Sequence, residues 1–134
     1  NSIASMNSLG FPEANILPAE LSGTTIKTIL GSIKVKTDSS SSKVVAGIRP
    51  EGFEVGKDAN SFNCKVSLME NLGSEFAVYF TIDNTDLVTV VSRTDVQALS
   101  KLQSGSVDIS VKPDAVVLFD ANSGKRIGQG VSHV

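Results

Sequence analysis

The chain has 134 residues, of which 40% are hydrophobic and 19% are charged, and its formal net charge is −2. A chain of this length and composition buries a real core, so one folded domain over residues 1–134 is predicted. The small negative charge lacks the basic excess of proteins that bind nucleic acid or an anionic membrane face. No apolar run approaches the ~20 residues of a membrane-spanning helix, so no direct membrane insertion is expected.

Short strands account for most of the chain, and they are predicted at residues 14–21, 25–30, 43–48, 62–70, 75–82, 86–92, 106–112 and 115–119. Many short strands separated by Gly, Asn, Asp and Ser indicate an all-β sandwich or barrel with mainly antiparallel strands and little helix. The segment KTDSSSSK, residues 36–43, is too polar to pack and is predicted to be a flexible surface loop.

Residues 62–82 have the clearest pattern, which predicts a β-hairpin. Apolar residues alternate in both arms, and the predicted inward faces consist of Phe62, Cys64, Val66 and Leu68 in one arm and Phe76, Val78, Phe80 and Ile82 in the other. Glu75, Ala77, Tyr79 and Thr81 are predicted to face the other way. The arms are joined by NLGS, residues 71–74, in which Gly73 can take the positive φ that a tight turn requires.

The remainder of the chain predicts one short helix and one further turn. Val96, Leu99 and Leu102 are three residues apart in DVQALSKLQ, residues 95–103, and Asp95 is a suitable N-cap. In FDANSGKRI, residues 119–127, a strand is followed by a turn at residues 122–124 and by a return strand.

Few residues in this sequence could support catalysis or bind a metal. Cys64 is the single cysteine and is predicted to be a small core residue, with a reactive thiol as the alternative. His133 is the single histidine and is next to the last residue, where a catalytic triad or the common zinc sites are not expected. Glu70 and Glu75 flank the hairpin turn, where they could face each other, but solvated rim carboxylates are the favoured interpretation. No catalytic, cofactor-binding or metal-binding residue is therefore predicted.

Two binding functions also lack support in the sequence. SGKR, residues 123–126, does not match a phosphate-binding loop, because Phe119 replaces the required first glycine and Arg126 replaces the final Ser or Thr. Single-strand nucleic-acid binding requires outward aromatic residues beside cations, whereas the phenylalanines fall mainly at inward positions and Tyr79 shares its face with Glu75.

Four motifs occur in order along the chain: MNSL (6–9), GIRPEGFEV (47–55), ENLGSEFAVYF (70–80) and LFDANSGKRI (118–127). Together they resemble the C-terminal regulatory region of the ATP-binding subunits of maltose-type sugar ABC importers, which is built from transport-associated OB-fold modules. The resemblance covers essentially the whole chain. The chain departs from the family pattern at residues 2–4, at Ser8 and at Gly52, and these differences put the transported substrate in question more than the fold.

The resemblance implies an OB-type barrel or sandwich that acts as a regulatory and dimerisation domain, with no catalysis in this fragment. An ATPase domain is expected upstream, and that domain would use ATP and Mg²⁺. The implied partners are a second copy of the subunit, the chain's own ATPase domain and, indirectly, the transmembrane permease subunits. The implied location is cytoplasmic, on the inner face of the membrane. Two alternatives remain open, namely a module that senses an oxyanion or small ligand and an unrelated OB-type binding module. The Ser-Ala-Arg-Asn run of molybdate-binding relatives is absent.

The tripeptide Arg49-Pro50-Glu51 is the main candidate interface or regulatory motif, together with Glu70, Gly73 and Glu75 at the hairpin turn. Pro50 lacks a backbone N–H, so it is predicted to end strand 43–48. Arg49 is predicted to hold a carboxylate, with Glu51, Glu70 and Glu75 as candidate partners. The resemblance implies that this corner lies near the ATPase domain or the second subunit, whereas a local salt bridge that only fixes a loop is the alternative.

Overall fold

The computed structural model describes residues 15–56 and 61–131, so the MNSL motif and His133 lie outside the described residues. The described strands are β1 (Asn15–Ser22), β2 (Thr25–Thr28), β3 (Gly31–Thr37), β4 (Lys43–Ile48), β5 (Phe53–Val55), β6 (Phe62–Asn71), β7 (Glu75–Ile82), β8 (Thr85–Ser92), β9 (Ser106–Val111), β10 (Val116–Asp120) and β11 (Arg126–Gly130). The same residues include one helix, α1 (Val96–Leu102), and the two 3₁₀ turns Pro50–Gly52 and Pro113–Ala115. The prediction of an all-β fold with little helix is confirmed.

The chain divides into two compact units. Residues 15–52 and 112–131 form what we call the barrel unit, and residues 53–56 and 61–111 form the sheet unit. Along the sequence, the sheet unit is thus a single insertion between the two segments that form the barrel unit. That residues 1–134 act as a single regulatory domain stays a prediction.

The barrel unit is a closed barrel of six strands in the order β1-β2-β3-β11-β10-β4, and every pairing is antiparallel. Its core follows the period-two pattern of the strands. The fully buried side chains include Leu17, Ile26, Ile48, Val116 and Leu118, each with 0% exposure. A fully buried aliphatic side chain of this size stabilises a fold by about 1.5–3 kcal/mol, so these alternating positions account for the barrel.

The sheet unit is a five-stranded antiparallel sheet in the order β5-β9-β6-β7-β8. Its core is centred on Phe80, which has 0% exposure. The Phe53 ring meets Phe80 edge-on at a centroid distance of 5.3 Å, and the Phe62 ring lies 6.4 Å away. These aromatic contacts join the edge strand β5 to the central hairpin.

The predicted hairpin is formed by β6 and β7, but two predictions about its faces are wrong. The pairing shifts between Val66, opposite Phe80, and Leu68, opposite Tyr79. Ser67 is therefore the extra residue of a β-bulge, and the face of every later residue in β6 is reversed. Leu68, predicted to face inward, is consequently 57% exposed. Ala77, predicted to face outward, is buried, whereas Val78 and Phe80 are buried as predicted.

Other elements differ more modestly from the prediction. The predicted strand 25–30 contains the turn between β2 and β3, and neither β3 nor β5 was predicted. Within the predicted loop 36–43, residues 38–42 connect β3 to β4 and the flanking residues belong to those strands.

The predicted helix forms as α1, and the Asp95 carboxylate caps it by accepting the Ala98 N–H at 3.1 Å. The predicted apolar stripe is only partly correct. Val96 is 72% exposed, and Ala98 and Leu102 provide the buried side chains. None of the described helices is long and apolar enough to cross a membrane.

Candidate interface site

The Arg49-Pro50-Glu51 motif forms a rigid corner at the end of β4. The strand ends at Ile48, and Pro50 begins the 3₁₀ turn Pro50–Gly52, as expected for a residue with no N–H to donate to a ladder. The Gly52 N–H donates to the Arg49 carbonyl at 2.8 Å and closes the turn. The predicted end of strand 43–48 is confirmed.

Gly52 allows this corner to pack tightly. A Cβ at this position would lie 2.8 Å from the Ala115 Cβ and 2.9 Å from the Ile48 Cγ2, which is closer than carbon atoms approach. Lys112 attaches the same corner to the following turn, because its N–H donates to the Gly52 carbonyl at 2.8 Å and its Nζ donates to the Glu51 carbonyl at 3.1 Å. The two 3₁₀ turns of the barrel unit are thus fixed to each other.

The second group of candidate residues lies at the turn between β6 and β7. Gly73 has a φ of +100°, a conformation that residues with a Cβ rarely adopt. The Asn71 side-chain oxygen accepts the Gly73 N–H at 2.9 Å, and the Leu72 N–H donates to the Glu75 carbonyl at 2.9 Å. The turn is therefore closed both by its own backbone and by the Asn71 side chain.

Arg93 clamps this turn, and the sequence analysis did not identify it. Its backbone N–H donates to the Ser74 carbonyl at 3.0 Å and its Nε donates to the Gly73 carbonyl at 2.5 Å. Its Nη2 donates to the Asn71 side-chain oxygen, and the guanidinium lies 4.9 Å from the centroid of the Phe76 ring. The signal for finding it was indirect. Pairing β7 with β8 through a two-residue turn places residue 93 directly beside residue 74.

Glu70 and Glu75, which flank the turn as expected, do not form a directly opposite pair. Glu70 pairs with Ala77 in β7, whereas Glu75 pairs with Ser92 in β8, so the two carboxylates are not directly opposite each other. Glu70 is exposed and Glu75 is half-buried. The six candidate residues thus fall into two groups. The residues of the Arg49-Pro50-Glu51 motif lie together in the barrel unit, and Glu70, Gly73 and Glu75 lie together in the sheet unit. The pairing of Arg49 with one of the three glutamates stays a prediction.

Cys64 is a core residue, as predicted. It is 3% exposed, and its thiol donates weakly to the Val107 carbonyl at 3.6 Å. Burial, with a smaller contribution from the negative charge of Asp108, raises the pKa of the Cys64 thiol to about 11. The thiol is therefore protonated and unreactive at neutral pH.

Two surface cavities differ in their lining. The barrel unit has a cavity of about 550 Å³ beside β1, β2 and β4, where Glu20 pairs in register with Lys27 and Lys43. The sheet unit has a cavity of about 440 Å³ lined by Ser100, Lys101, Ser104, Ser106 and Asp108, among others. Both linings carry charges of both signs, with Glu20 beside Lys27 and Lys43 in the first cavity and Asp108 with Lys101 in the second. Over residues 15–56 and 61–131, no three His, Cys, Asp or Glu residues form a group that could hold a metal ion.

Comparison with known proteins identifies the family. A model of the TOBE domain matches residues 46–119, which is more than half of the chain. The chain belongs to the TOBE domain family. The matched residues contain the Arg49-Pro50-Glu51 corner, the whole sheet unit and the turn that Arg93 clamps. The elements within residues 46–119 are therefore those of a TOBE domain, and the resemblance found in the sequence is confirmed.

Curated proteins similar to this chain include ATP-binding proteins of importers. The chain is 27% identical over 121 residues to the sn-glycerol-3-phosphate import ATP-binding protein UgpC of Ruegeria sp. (strain TM1040). It is 29% identical over 123 residues to the UgpC of Jannaschia sp. (strain CCS1). These alignments cover 90% and 89% of this chain but only 34% and 33% of the relatives. The chain therefore spans about a third of their length.

A solved structure has the same fold. The cytoplasmic molybdate-binding protein ModG, crystallised with molybdate bound, matches with a TM-score of 0.61 at 16% sequence identity. The match covers 78% of this chain and 94% of the ModG chain. At this low identity the likeness shows the fold alone, and it supports the predicted OB-type architecture.

Proposed function

We propose that this TOBE domain is the regulatory part of the ATP-binding subunit of an ABC importer. The observation that carries the proposal is the similarity over about nine-tenths of the chain to ATP-binding proteins of one importer class, combined with the family match. The catalytic domain of that subunit, with its ATP and Mg²⁺, lies in the remaining two-thirds of such proteins. This fragment contributes no catalytic step, and it acts in the cytoplasm against the inner face of the membrane.

The proposed solute is a small polar compound of the carbohydrate or polyol class. The names of the relatives specify sn-glycerol-3-phosphate, a phosphorylated three-carbon polyol. The coding sequence upstream of Asn1 tests the class of the whole protein. A phosphate-binding loop and an ABC signature there support the proposal, whereas an upstream domain without them contradicts it.

We further propose that the domain holds two subunits together. Two-fold contacts use the same residues on both copies, so each contact across such an interface occurs twice. The Arg49 corner in the barrel unit and the Glu75 turn in the sheet unit are each a candidate surface on a rigid element, since Lys112 fixes the first and Arg93 fixes the second. Ion pairs at a protein surface contribute about 0.2–1 kcal/mol each, so the isolated domain is expected to dimerise only weakly.

Sedimentation of the chain across concentration tests this role. We expect reversible association that Arg49→Ala and Glu75→Ala each weaken and that Lys34→Ala leaves unchanged, since Lys34 is an exposed cation elsewhere in the barrel unit. A parent chain that stays monomeric at about 1 mM, where even a contact worth only ~4 kcal/mol is half-populated, contradicts the proposed dimer role.

Oxyanion sensing is a second candidate, because the ModG structure that shares the fold contains molybdate. It is the weaker candidate for this chain, since the identity to ModG is only 16%, against 27% and 29% to the importer proteins, and the Ser-Ala-Arg-Asn run is absent. Calorimetric titration with molybdate, tungstate and sn-glycerol-3-phosphate distinguishes the two functions. Saturable heat with micromolar affinity for an oxyanion favours the sensor, and the absence of heat favours the regulatory role.

A further inference from the structure

The strand β6 is paired on both sides over only part of its length. Phe62–Lys65 pair with β9, and the Val66 N–H donates to the Gly105 carbonyl at 3.0 Å. Beyond that point β6 has no partner in β9, and residues 68–71 pair only with β7. In the described part of the chain, this segment is therefore an open edge of the sheet.

The hydrogen-bond pattern shows which backbone groups this edge offers. The Leu72 N–H points toward β7, because it donates to the Glu75 carbonyl. In an antiparallel pair the direction of the backbone N–H and C=O groups alternates along the strand. The backbone groups of Glu70 therefore also point toward β7, whereas those of Met69 and Asn71 point toward the open side. The edge thus presents two N–H and two C=O groups to a further strand.

The side chains beside this edge form a short, exposed pattern. After the bulge at Ser67, Leu68 and Glu70 lie on one face of β6, and the alternation continues to Leu72, just beyond the end of the strand. Leu68 is 57% exposed, Leu72 is 50% exposed and Glu70 is also exposed. Of the three large hydrophobic residues exposed in the described ranges, two lie here. By contrast Leu87, Val88, Thr89 and Val91 are buried on the edge strand β8.

A second copy of the chain fits this edge poorly in the register that pairs the exposed leucines. A two-fold contact between two such edges is antiparallel, and the register that pairs Leu68 with Leu72 of the other copy places Glu70 directly opposite its own counterpart. Like charges directly opposite each other in a sheet are destabilising. The pattern requires a strand with an opposite charge at the centre.

We propose that residues 67–72 bind an extended segment of another protein by strand addition, and that this segment has the pattern apolar-x-cation-x-apolar. The outward groups of Met69 and Asn71 supply the backbone hydrogen bonds. Glu70 occupies a non-hydrogen-bonded position, where opposite side chains approach most closely, and it pairs with the Lys or Arg of the segment. Leu68 and Leu72 cover the two apolar side chains of the bound segment. This partner is additional to the second subunit of the proposed function.

A designed peptide tests the proposal on the intact chain. The probe is a fluorescein-labelled peptide, Thr-Val-Thr-Lys-Thr-Val-Thr, in which Val, Lys and Val form the recognition face. We expect saturable binding by fluorescence anisotropy below about 1 mM, the affinity range of a few net hydrogen bonds. Amide chemical shifts are expected to change within residues 67–72.

Two matched pairs of variants separate strand addition from general charge attraction. Methylating the backbone nitrogens of the two Thr residues that flank the Lys abolishes binding. Methylating the backbone nitrogen of the Lys, whose N–H points away from the edge, does not. On the protein, Met69→Pro removes an outward N–H and abolishes binding, and circular dichroism checks that it folds. Glu70→Gln keeps the backbone and weakens binding about fivefold, as expected for the loss of an exposed ion pair.

The remaining outcomes overturn the proposal. No binding at 1 mM, or equal binding of a peptide with Glu in place of Lys, contradicts the recognition pattern. Binding that survives both Met69→Pro and methylation of the Thr nitrogens shows attraction without strand addition. If Met69→Pro instead abolishes the self-association of the parent chain, the occupant of the edge is a second copy and not another protein. The sedimentation of Met69→Pro therefore distinguishes this proposal from the proposed dimer role.

Discussion

Phe80→Ala is expected to be among the most destabilising single substitutions in the sheet unit. The ring has 0% exposure and contacts the rings of Phe53 and Phe62 at centroid distances of 5.3 and 6.4 Å. Loss of the buried ring surface costs about 2–3 kcal/mol, and the cavity and the lost aromatic contacts raise the total to about 3–5 kcal/mol. Tyr79 is only half-buried on the opposite face of the same strand, so Tyr79→Ala is expected to cost clearly less.

Urea unfolding followed by circular dichroism measures both variants. With a slope of about 2 kcal/mol per molar urea, a loss of 4 kcal/mol lowers the midpoint by about 2 M. Phe80→Leu, which retains most of the buried volume, is the matched control and is expected to lose less than half as much. Equal losses for Tyr79→Ala and Phe80→Ala would show that the inward face of β7 has been assigned incorrectly.

Three further predictions concern other parts of the molecule. The isolated chain is expected to show no binding of ATP at micromolar concentration by calorimetry, because its sequence lacks a glycine-rich phosphate cradle, and measurable heat would contradict this. Because the pKa of Cys64 rises from 9.0 to about 11 on folding, the thiol of the unfolded chain ionises first, and the parent is expected to lose about 2 kcal/mol of stability relative to Cys64→Ala as the pH rises from about 9 to 11. A stability difference between the two chains that does not depend on pH would refute the assigned burial. Arg93→Gln removes the clamp on the hairpin turn, and faster amide hydrogen exchange is expected at Gly73 and its neighbours, with no change in the barrel unit. Unchanged exchange there would show that the backbone alone holds the turn.

Strand positions were largely predictable because burial alternates along each strand. Residues 43–48 and 75–82 match β4 and β7, since their apolar residues recur at period two and Gly or Pro residues mark their ends. The period fails at Ser67, because a bulge is determined by pairing with a neighbouring strand and not by the composition of its own strand. The exposed edge at Leu68 and Leu72 was therefore absent from the sequence analysis.

The candidate site was predictable only where local chemistry determines it. Pro50 ends a strand and Gly73 forms a turn through the backbone conformation of the residue itself, and both have the predicted role. Arg93 is 20 residues from Gly73 in the chain, and the hydrogen bond that joins them depends on the register of two strand pairs. Contacts of this kind become visible only when the sheet is assembled.

The hydrogen bond between Lys112 and Gly52 has a consequence for the order of folding. Most barrel strands precede Gly52, but β10 and β11 follow Lys112, so the barrel cannot close until these two points meet. Bringing together the ends of a flexible loop of roughly sixty residues costs about 3–4 kcal/mol of chain entropy. Pairing of Phe53 with Val111 in the sheet unit brings those same ends together. The inserted segment therefore acts as an internal template for the barrel, and its early formation is expected to accelerate barrel closure.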